Sequence, residues 1–421
     1  IGFGSEVDHN APGVIHLLPS LFPINTPPEG RESLAFPPLI GANRKFPYQP
    51  KNFINISGMS FGALSSNAIS ALSSGASKAE IFLSTGEGGL SRYHLEGGAD
   101  LVFQIGPGKY GCRTPDGFLD EDKIVEMAAN PKIKMFEIKL LQGAKPGKGS
   151  ALPAAKVTRE IAEIRGIQAG VDCYGPNSHH EFRDMPGLLK FIAHLQRISG
   201  KPVGIKLVGG TKYQSDSLAR EMSSSGNIPD FIIVDGAEGG SGAAPLALAD
   251  YMGLPLREAL VQMDDSLRRH HVRKKTVLIA SGRIATGGEV VQALALGADM
   301  INIARGFMLS MGCIQSRRCH TNRCPTGITT QNWWLKRGLD PTLKSERVAA
   351  YARTLKKDLF MLLSSCGLTH PNQLTRDHLV FVVAPGQIRR LREIYPYPDD
   401  AEGILQTAWA NLTDDKKKRA A

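Results

Sequence analysis

The chain has 421 residues, 42% of them hydrophobic and 21% charged, which excludes a disordered chain and a small cross-linked module. No run approaches the roughly 18–20 consecutive apolar residues of a membrane-spanning helix. Lys and Arg outnumber Asp and Glu by 50 to 40, a net charge of +10 that suits an acidic partner. Aromatic residues, at 7%, are too sparse and too separate from the basic ones to predict nucleic-acid binding.

In chain order, residues 1–50 are rich in Pro and Gly (HNAPGVIHLLPSLFPINTPPEG) and predict an extended lead-in wrapped around a larger body. A barrel domain is expected over 51–335. Its apolar runs are NFINIS (52–57), EIFLST (80–85), KMFEIKL (134–140) and VDCYG (171–175), then PVGIKLV (202–208), DFIIVDG (230–236), TVLIASG (276–282) and MINIA (300–304). Helices are predicted over 65–78, 154–165, 186–199 and 214–224, with VVQALALGA between the last two strands. Eight buried parallel strands with helical crossovers predict an α/β fold, a (β/α)8 TIM barrel. A doubly wound open sheet is the alternative; it would want a G-x-G-x-x-G turn after an early strand, and none is expected in this chain. Residues 336–421 predict a C-terminal helical extension, with a strong helix over 340–366 and a basic tail at Lys416–Arg419. The opening residues IGFGSEVDHN carry no secretory pattern, and a cytoplasmic location is expected. A membrane segment preceding Ile1 is the alternative.

Barrel chemistry gathers at the C-terminal ends of the strands. Here those ends read SGMSFG (57–62), STGEGG (84–89), DGAEGGSGAAP (235–245), ASGRIATGG (280–288) and ARG (304–306). Glycines at five such ends allow close approach of backbone to ligand. The loops after strands seven and eight are the usual phosphate site of this fold, so Gly282, Arg305 and Gly306 are the phosphate candidates. Lys206 lies in an apolar strand, where an ammonium group needs an anionic or electron-rich partner. Lys139 and Lys145 raise the same question less strongly, and His179–His180 read as structural or exposed.

Six cysteines are present, and three fall together in GCIQSRRCHTNRCPTG (312–327). Cys313, Cys319 and Cys324, spaced C-x5-C-x4-C on a short irregular loop, predict an iron–sulfur cluster. Zinc, with His320 as fourth ligand, is the rival, but structural zinc prefers tighter spacing. The scattered Cys112, Cys173 and Cys366 predict no disulfide framework, in keeping with a reducing compartment.

Over about residues 50–370 the chain resembles the FMN-binding synthase domain of glutamate synthase. The resemblance is carried by SGMSFGALS (57–65), STGEGG (84–89), EIKLLQGAKPG (137–147), VGIKLV (203–208), GGSGAAPL (239–246) and the cysteine loop with its continuation CPTGITTQ (324–331). It implies bound FMN and a [3Fe–4S] cluster on Cys313, Cys319 and Cys324. It also implies Gly58, Met59, Ser60, Gln104, Lys206, Asp235, Gly239, Gly240, Ser281, Gly282, Arg305 and Gly306 around the flavin, with Lys206, Gln104 and Glu87 as catalytic residues. The implied activity is an oxidoreductase acting on CH–NH2 donors, run as reductive amination of 2-oxoglutarate or a related oxo acid through an imine. The glutaminase domain of a whole glutamate synthase is not among these residues, so ammonia would come from a separate glutaminase subunit or from solution. The chain departs from the family pattern at Lys148 (KPGKGS), at Asp235 and Glu238 in DGAEGGSG and at SGR in strand seven, which leaves the substrate open. Electrons are expected from a ferredoxin or from a separate NAD(P)H-oxidising subunit. Two alternatives are another FMN-barrel dehydrogenase or isomerase, and a non-catalytic electron-transfer subunit.

Overall fold

Val102, Met135, Phe231, Ile233, Val277, Ile279 and Met300 are buried and pack together. Within their strands they recur at every second position, the period that sends alternate side chains to one face. The computed structural model describes residues 7–25, 35–240 and 242–398. In it the strands bearing these residues close on themselves. They are β1 (Ile54–Ile56), β2 (Leu83–Ser84), β3 (Leu101–Ile105), β4 (Ile133–Lys139), β5 (Val203–Val208), β6 (Phe231–Asp235), β7 (Val277–Ser281) and β8 (Met300–Ile303). Each pairs in parallel with its neighbour in sequence, and β8 pairs with β1 to complete an eight-stranded barrel. The expected TIM barrel is the observed fold.

Two strand assignments need correction. VDCYG supplies no barrel strand: Cys173–Tyr174 instead pairs antiparallel with Ala151–Leu152 in a separate two-stranded ribbon. The missing strand is β3, LVFQI, which lies in the glycine-rich stretch between EIFLST and KMFEIKL and is not among the expected runs. The segment Gly106–Gly111 (GPGKYG) that follows β3 does spell G-x-G-x-x-G. It opens no helix, however, because the next one begins only at Glu121. Gly111 packs on the backbone of Gly89 instead, so a dinucleotide fingerprint is not formed.

Besides four short helices at Arg92–Glu96, Leu246–Tyr251, Arg305–Ser310 and Leu391–Ile394, the helices run α1 (Ser66–Lys78), α2 (Glu121–Ala129), α3 (Arg159–Arg165), α4 (Met185–Ser199), α5 (Lys212–Ser225), α6 (Leu256–Arg269), α7 (Gly287–Ala295), α8 (Trp333–Lys336) and α9 (Pro341–Ser365). Local chemistry sets their ends. Ser65, Asp120, Thr158, Asp184, Thr211, Thr286 and Asp340 accept backbone N–H bonds as N-caps. The long α9 lies against α1, where a side chain at Gly75 would collide with Val348.

The described part of the N-terminal lead-in closes the barrel floor. Ile40 and Tyr48 bridge to each other and join the lumen cluster. Arg44 pairs with Asp230 at 3.0 Å, at the start of β6. Farther toward the N-terminus, Ile15–Leu17 pairs antiparallel with Leu379–Ala384, which in turn pairs with Gln387–Arg390. The C-terminal extension is therefore a helix followed by a hairpin, not helical throughout. The basic tail Lys416–Arg419 lies outside the described residues. Among those described, no helix is long and apolar enough to cross a membrane.

Candidate active site at the barrel mouth

The alternation that fills the lower lumen with apolar side chains delivers polar ones to its upper end. Ser57, Ser84, Gln104, Glu137, Lys206, Asp235, Ser281 and Asn302 are all buried there. They form two linked groups. Gln104 Nε2 donates to Glu137 Oε1 at 2.5 Å, and Ser84 Oγ donates to Glu137 Oε2 at 3.2 Å. Lys206 Nζ stands 3.6 Å from Asp235 Oδ2 and donates to Ser57 Oγ at 3.2 Å. Burial disfavours the Lys206 cation, yet Asp235 and Glu137 outweigh it and hold its pKa above the usual lysine range. Burial raises the Glu137 carboxyl, a shift opposed by Lys206 and by its two hydrogen bonds.

Above this ring opens a cleft of about 450 Å³, open solvent included. Ser57, Gly58, Lys206, Asp235, Gly239, Gly240, Ser281, Gly282, Asn302 and Arg305 line it. Its floor tolerates no side chains. A Cβ at Gly58 would lie 2.9 Å from Gln104 Nε2, and one at Gly282, where φ is +133°, would lie 2.8 Å from the Gly236 amide. Arg305 Nη2 reaches the carbonyls of Glu238 and Gly240 at 3.4 and 3.5 Å, tying the loop after β6 to the loop after β8. Asn302 Oδ1 is buried in this cleft without a hydrogen-bond partner. Such an orphan inside a polar cavity marks a place where a ligand donor fits.

Glu87 belongs to an adjoining cleft of about 250 Å³, bounded by Lys139, Gln142, Lys145, Lys148 and Asn177. Lys139 Nζ lies 2.7 Å and Lys145 Nζ 3.8 Å from Glu87 Oε1. Burial raises this carboxyl, but Lys139, Lys145 and Arg165 outweigh it and hold the pKa at about 2. Gln142 lines both clefts and accepts from Lys139 Nζ at 2.9 Å, so the two spaces share a wall.

The other expected site residues are placed unevenly. The Met59 side chain is buried in the hydrophobic core, and Ser60 sits against Gly86. Gly306 faces away from the cleft, because a Cβ there would collide with the Tyr351 hydroxyl of α9. His179 is buried with Nε2 on the Lys139 carbonyl at 3.0 Å, and burial lowers its pKa to about 4; His180 is exposed. Sequence reasoning singles out neither Glu137 nor Gln142. The available signal was an acid between Phe136 and Ile138, at the centre of the KMFEIKL run.

The cysteine loop lies beside the mouth. Lys156 is buried beneath it, with Nζ donating to the carbonyls of Cys319 and Ala63, both at 2.8 Å. Burial raises the Cys324 thiol, but hydrogen bonds from Thr326 and Thr329 outweigh it and bring the pKa down to about 7. A Cβ on Gly242 would lie 2.9 Å from Cys319 Sγ. Among the described residues, no group of three or more His, Cys, Asp or Glu side chains is arranged to hold a metal ion. Burial, and behind it the nearby Cys319 and Cys324, raise the Cys313 thiol, so the three thiols lie near one another without a formed ligand group.

Residues 40–369 match the family described as "Conserved region in glutamate synthase". The chain belongs to the glutamate synthase family. Among similar family members, the glutamate synthase large subunit-like protein YerD of Bacillus subtilis is 42% identical, covering 81% of this chain and 65% of its own length. The archaeal glutamate synthase [NADPH] of Methanocaldococcus jannaschii is 33% identical, covering 77% and 61%. The chain therefore spans about two thirds or less of the length of these relatives. In fold it is similar to mandelate oxidase with (S)-4-hydroxymandelic acid (TM-score 0.52, 14% identity, 88% of each chain). Flavocytochrome b2 with benzoylformate is comparable (TM-score 0.53, 13% identity, 87% of this chain and 75% of that one).

Proposed function

We propose that the chain is the flavin-bearing catalytic unit of a glutamate-synthase-type oxidoreductase that aminates 2-oxoglutarate or a related oxo acid. The observation that carries this reading is the glycine-floored cleft over the buried Lys206–Asp235 and Gln104–Glu137 groups, with the unpartnered Asn302 Oδ1 inside it. FMN fits that cleft on donor chemistry and on shape. Gly58, Gly239, Gly240 and Gly282 would pass its flat faces, Asn302 would accept from it, and Arg305 would meet its phosphate. When bound it would supply the hydride. Lys206, fixed between two acids, holds a permanent positive charge at the lumen end of the cleft and stabilises negative charge on whatever lies above it. Lys139, Lys145 and Lys148 outnumber Glu87 in the adjoining cleft, which suits the carboxylates of an oxo acid. Gln142 on the shared wall would keep that acid beside the flavin.

Heat-released cofactor is expected to be FMN. Arg305→Ala should weaken its retention about tenfold, the worth of a charge-assisted hydrogen bond. Chemically reduced protein given ¹⁵N-ammonium and 2-oxoglutarate should form ¹⁵N-glutamate. Recovery of FAD, or no amino acid from any oxo acid tried, would overturn the reading.

For the [3Fe–4S] cluster, Cys313, Cys319 and Cys324, all free thiols, would supply the donors. The proposal rests on donor chemistry alone. Anaerobically purified protein should contain iron and acid-labile sulfide, lost in Cys313→Ser, Cys319→Ser and Cys324→Ser and kept in Cys112→Ser and Cys366→Ser. Stoichiometric zinc without iron would sink it.

A further inference from the structure

We infer that Arg283 is a specificity-determining residue which, with Arg305, selects a flavin that ends in a phosphate monoester. The inference deepens the catalytic reading and rests on its flavin. It concerns a point where the chain leaves its family's pattern, the SGR that closes strand seven.

Arg283 holds a backbone conformation that side chains avoid. Its φ is +51°, in the left-handed region, directly after Gly282 at +133°. Glycine would adopt that conformation without strain, so the arginine stands there against a backbone preference. Strain of this kind gathers at ligand sites, where the side chain has a use that glycine cannot supply.

Both arginines line the cleft at the barrel mouth. Arg283 is exposed and, among the described residues, its guanidinium makes no hydrogen bond or ion pair. Arg305 has only its long contacts to the Glu238 and Gly240 carbonyls, at 3.4 and 3.5 Å. The neighbouring acids are committed elsewhere. Asp235 Oδ2 lies 3.6 Å from Lys206 and accepts from the Gly143 amide at 3.0 Å. The Glu238 carboxylate accepts from the Leu256 amide, at 3.2 and 3.0 Å. Two like charges therefore line one cleft with no carboxylate between them, and an anion entering there relieves their repulsion.

The backbone offers that anion less than the fold usually does. A helix N-terminus such as that of α7 ordinarily presents its amides to a phosphate. Here Glu289 Oε2 accepts from the Ala285 and Thr286 amides at 2.8 and 3.1 Å, and Thr286 Oγ1 accepts from the Glu289 amide at 3.3 Å. The helix is capped by its own acid, which repels a second negative group. Holding the anion falls to the two side chains.

Charge and shape select the ligand class. A guanidinium presents a rigid fork of N–H donors that matches phosphate oxygens. A phosphate monoester carries close to two negative charges near neutral pH, one for each arginine. Lys206, at the lumen end, is already balanced by Asp235. The unbalanced charge thus lies with the arginines and turns the phosphate toward them. Riboflavin would enter the same cleft and leave both guanidinium groups unpaired.

The test is rebinding of FMN and of riboflavin to the whole chain stripped of its flavin, followed by quenching of flavin fluorescence. Wild type should bind FMN about a hundredfold or more tightly than riboflavin, from two charge-assisted contacts. Arg283→Gly should weaken FMN about tenfold and leave riboflavin within about twofold, since only the phosphate meets the arginine. Arg283→Lys should fall between, because an ammonium keeps the charge without the fork. Flavin-free Arg283→Gly should unfold at or above the wild-type temperature, because glycine relieves the strained φ; an arginine with a merely structural role would lower it. Unchanged FMN affinity in Arg283→Gly would overturn the proposal, as would an equal loss for riboflavin. A wild type that binds both flavins alike would leave the flavin cleft standing and remove only this inference. A wild type that binds neither would remove the catalytic reading, and this inference with it.

Discussion

Lys206→Met is expected to strip flavin from the purified protein, to abolish measurable amination and to destabilise the barrel by about 3–5 kcal/mol. The reason lies in the lumen. Lys206 is the cation beside two buried acids, with Asp235 at 3.6 Å and Glu137 coupled to it electrostatically. Methionine matches the stem and leaves those carboxylates without their counter-charge. Glu137, whose carboxyl burial already raises, must then either stay ionised at high cost or take up a proton, so its folded pKa rises further above the unfolded one. A raised carboxyl pKa gives stability that is present at low pH and lost as pH rises through the folded value. The deficit of Lys206→Met should therefore be small near pH 5 and full near pH 8, in urea unfolding read by circular dichroism. Adding Asp235→Asn should restore much of the stability and none of the turnover, which separates the two roles. A single variant that keeps its flavin and wild-type turnover would refute the assignment of Lys206.

Arg376→Met is expected to be the most damaging change outside the mouth, at about 3–5 kcal/mol. Arg376 is fully buried, with Nη2 3.1 Å from Asp264 and 2.7 Å from Asp265 of α6. Its Nη1 donates to the Tyr395 carbonyl at 3.0 Å, and its guanidinium lies 4.3 Å from the Tyr397 ring centroid. Asp264 would keep Arg268 and Arg273, at 2.8 and 2.7 Å. Asp265 has no second partner of that quality, and burial already raises its pKa despite Arg376. The C-terminal segment should then come loose before the barrel does. Limited proteolysis should cut first between about residues 367 and 398, and the urea midpoint should fall with no change in flavin content. A midpoint within about 0.5 kcal/mol of wild type, the range of an ordinary surface substitution, would defeat this account.

How far the sequence revealed the molecule depended on whether a local pattern was unique. DFIIVDG, TVLIASG and PVGIKLV are long apolar runs bounded by glycine or proline, and each is a barrel strand. LVFQI is as good a strand by composition. The dense glycines around it and the short, half-charged helix α2 that follows mask it. VDCYG imitates a barrel strand, because the crossover from β4 to β5 carries a helix and a two-stranded ribbon of its own. Within the site, Lys206, Asp235 and Gly282 were readable as chemistry out of place in an apolar strand or at its glycine-rich end. Glu137 was less visible, since its meaning comes from Gln104 and Ser84 on neighbouring strands. Gly306 shows the converse: its missing side chain answers to Tyr351 of a helix some forty-five residues later, a packing demand that no local motif records.

The small sheet that joins Ile15–Leu17 to the hairpin at Leu379–Arg390 also has a temporal consequence. During synthesis the first of these strands leaves the ribosome long before its partner exists. At about 5–20 residues per second, the stretch from residue 15 to residue 379 takes roughly 20–70 s to make. For that interval the strand has an unpaired edge, and the barrel must close without it. Pro19 and Pro23, which follow the strand within six residues, keep that waiting edge short, which limits its chance of pairing with another nascent chain.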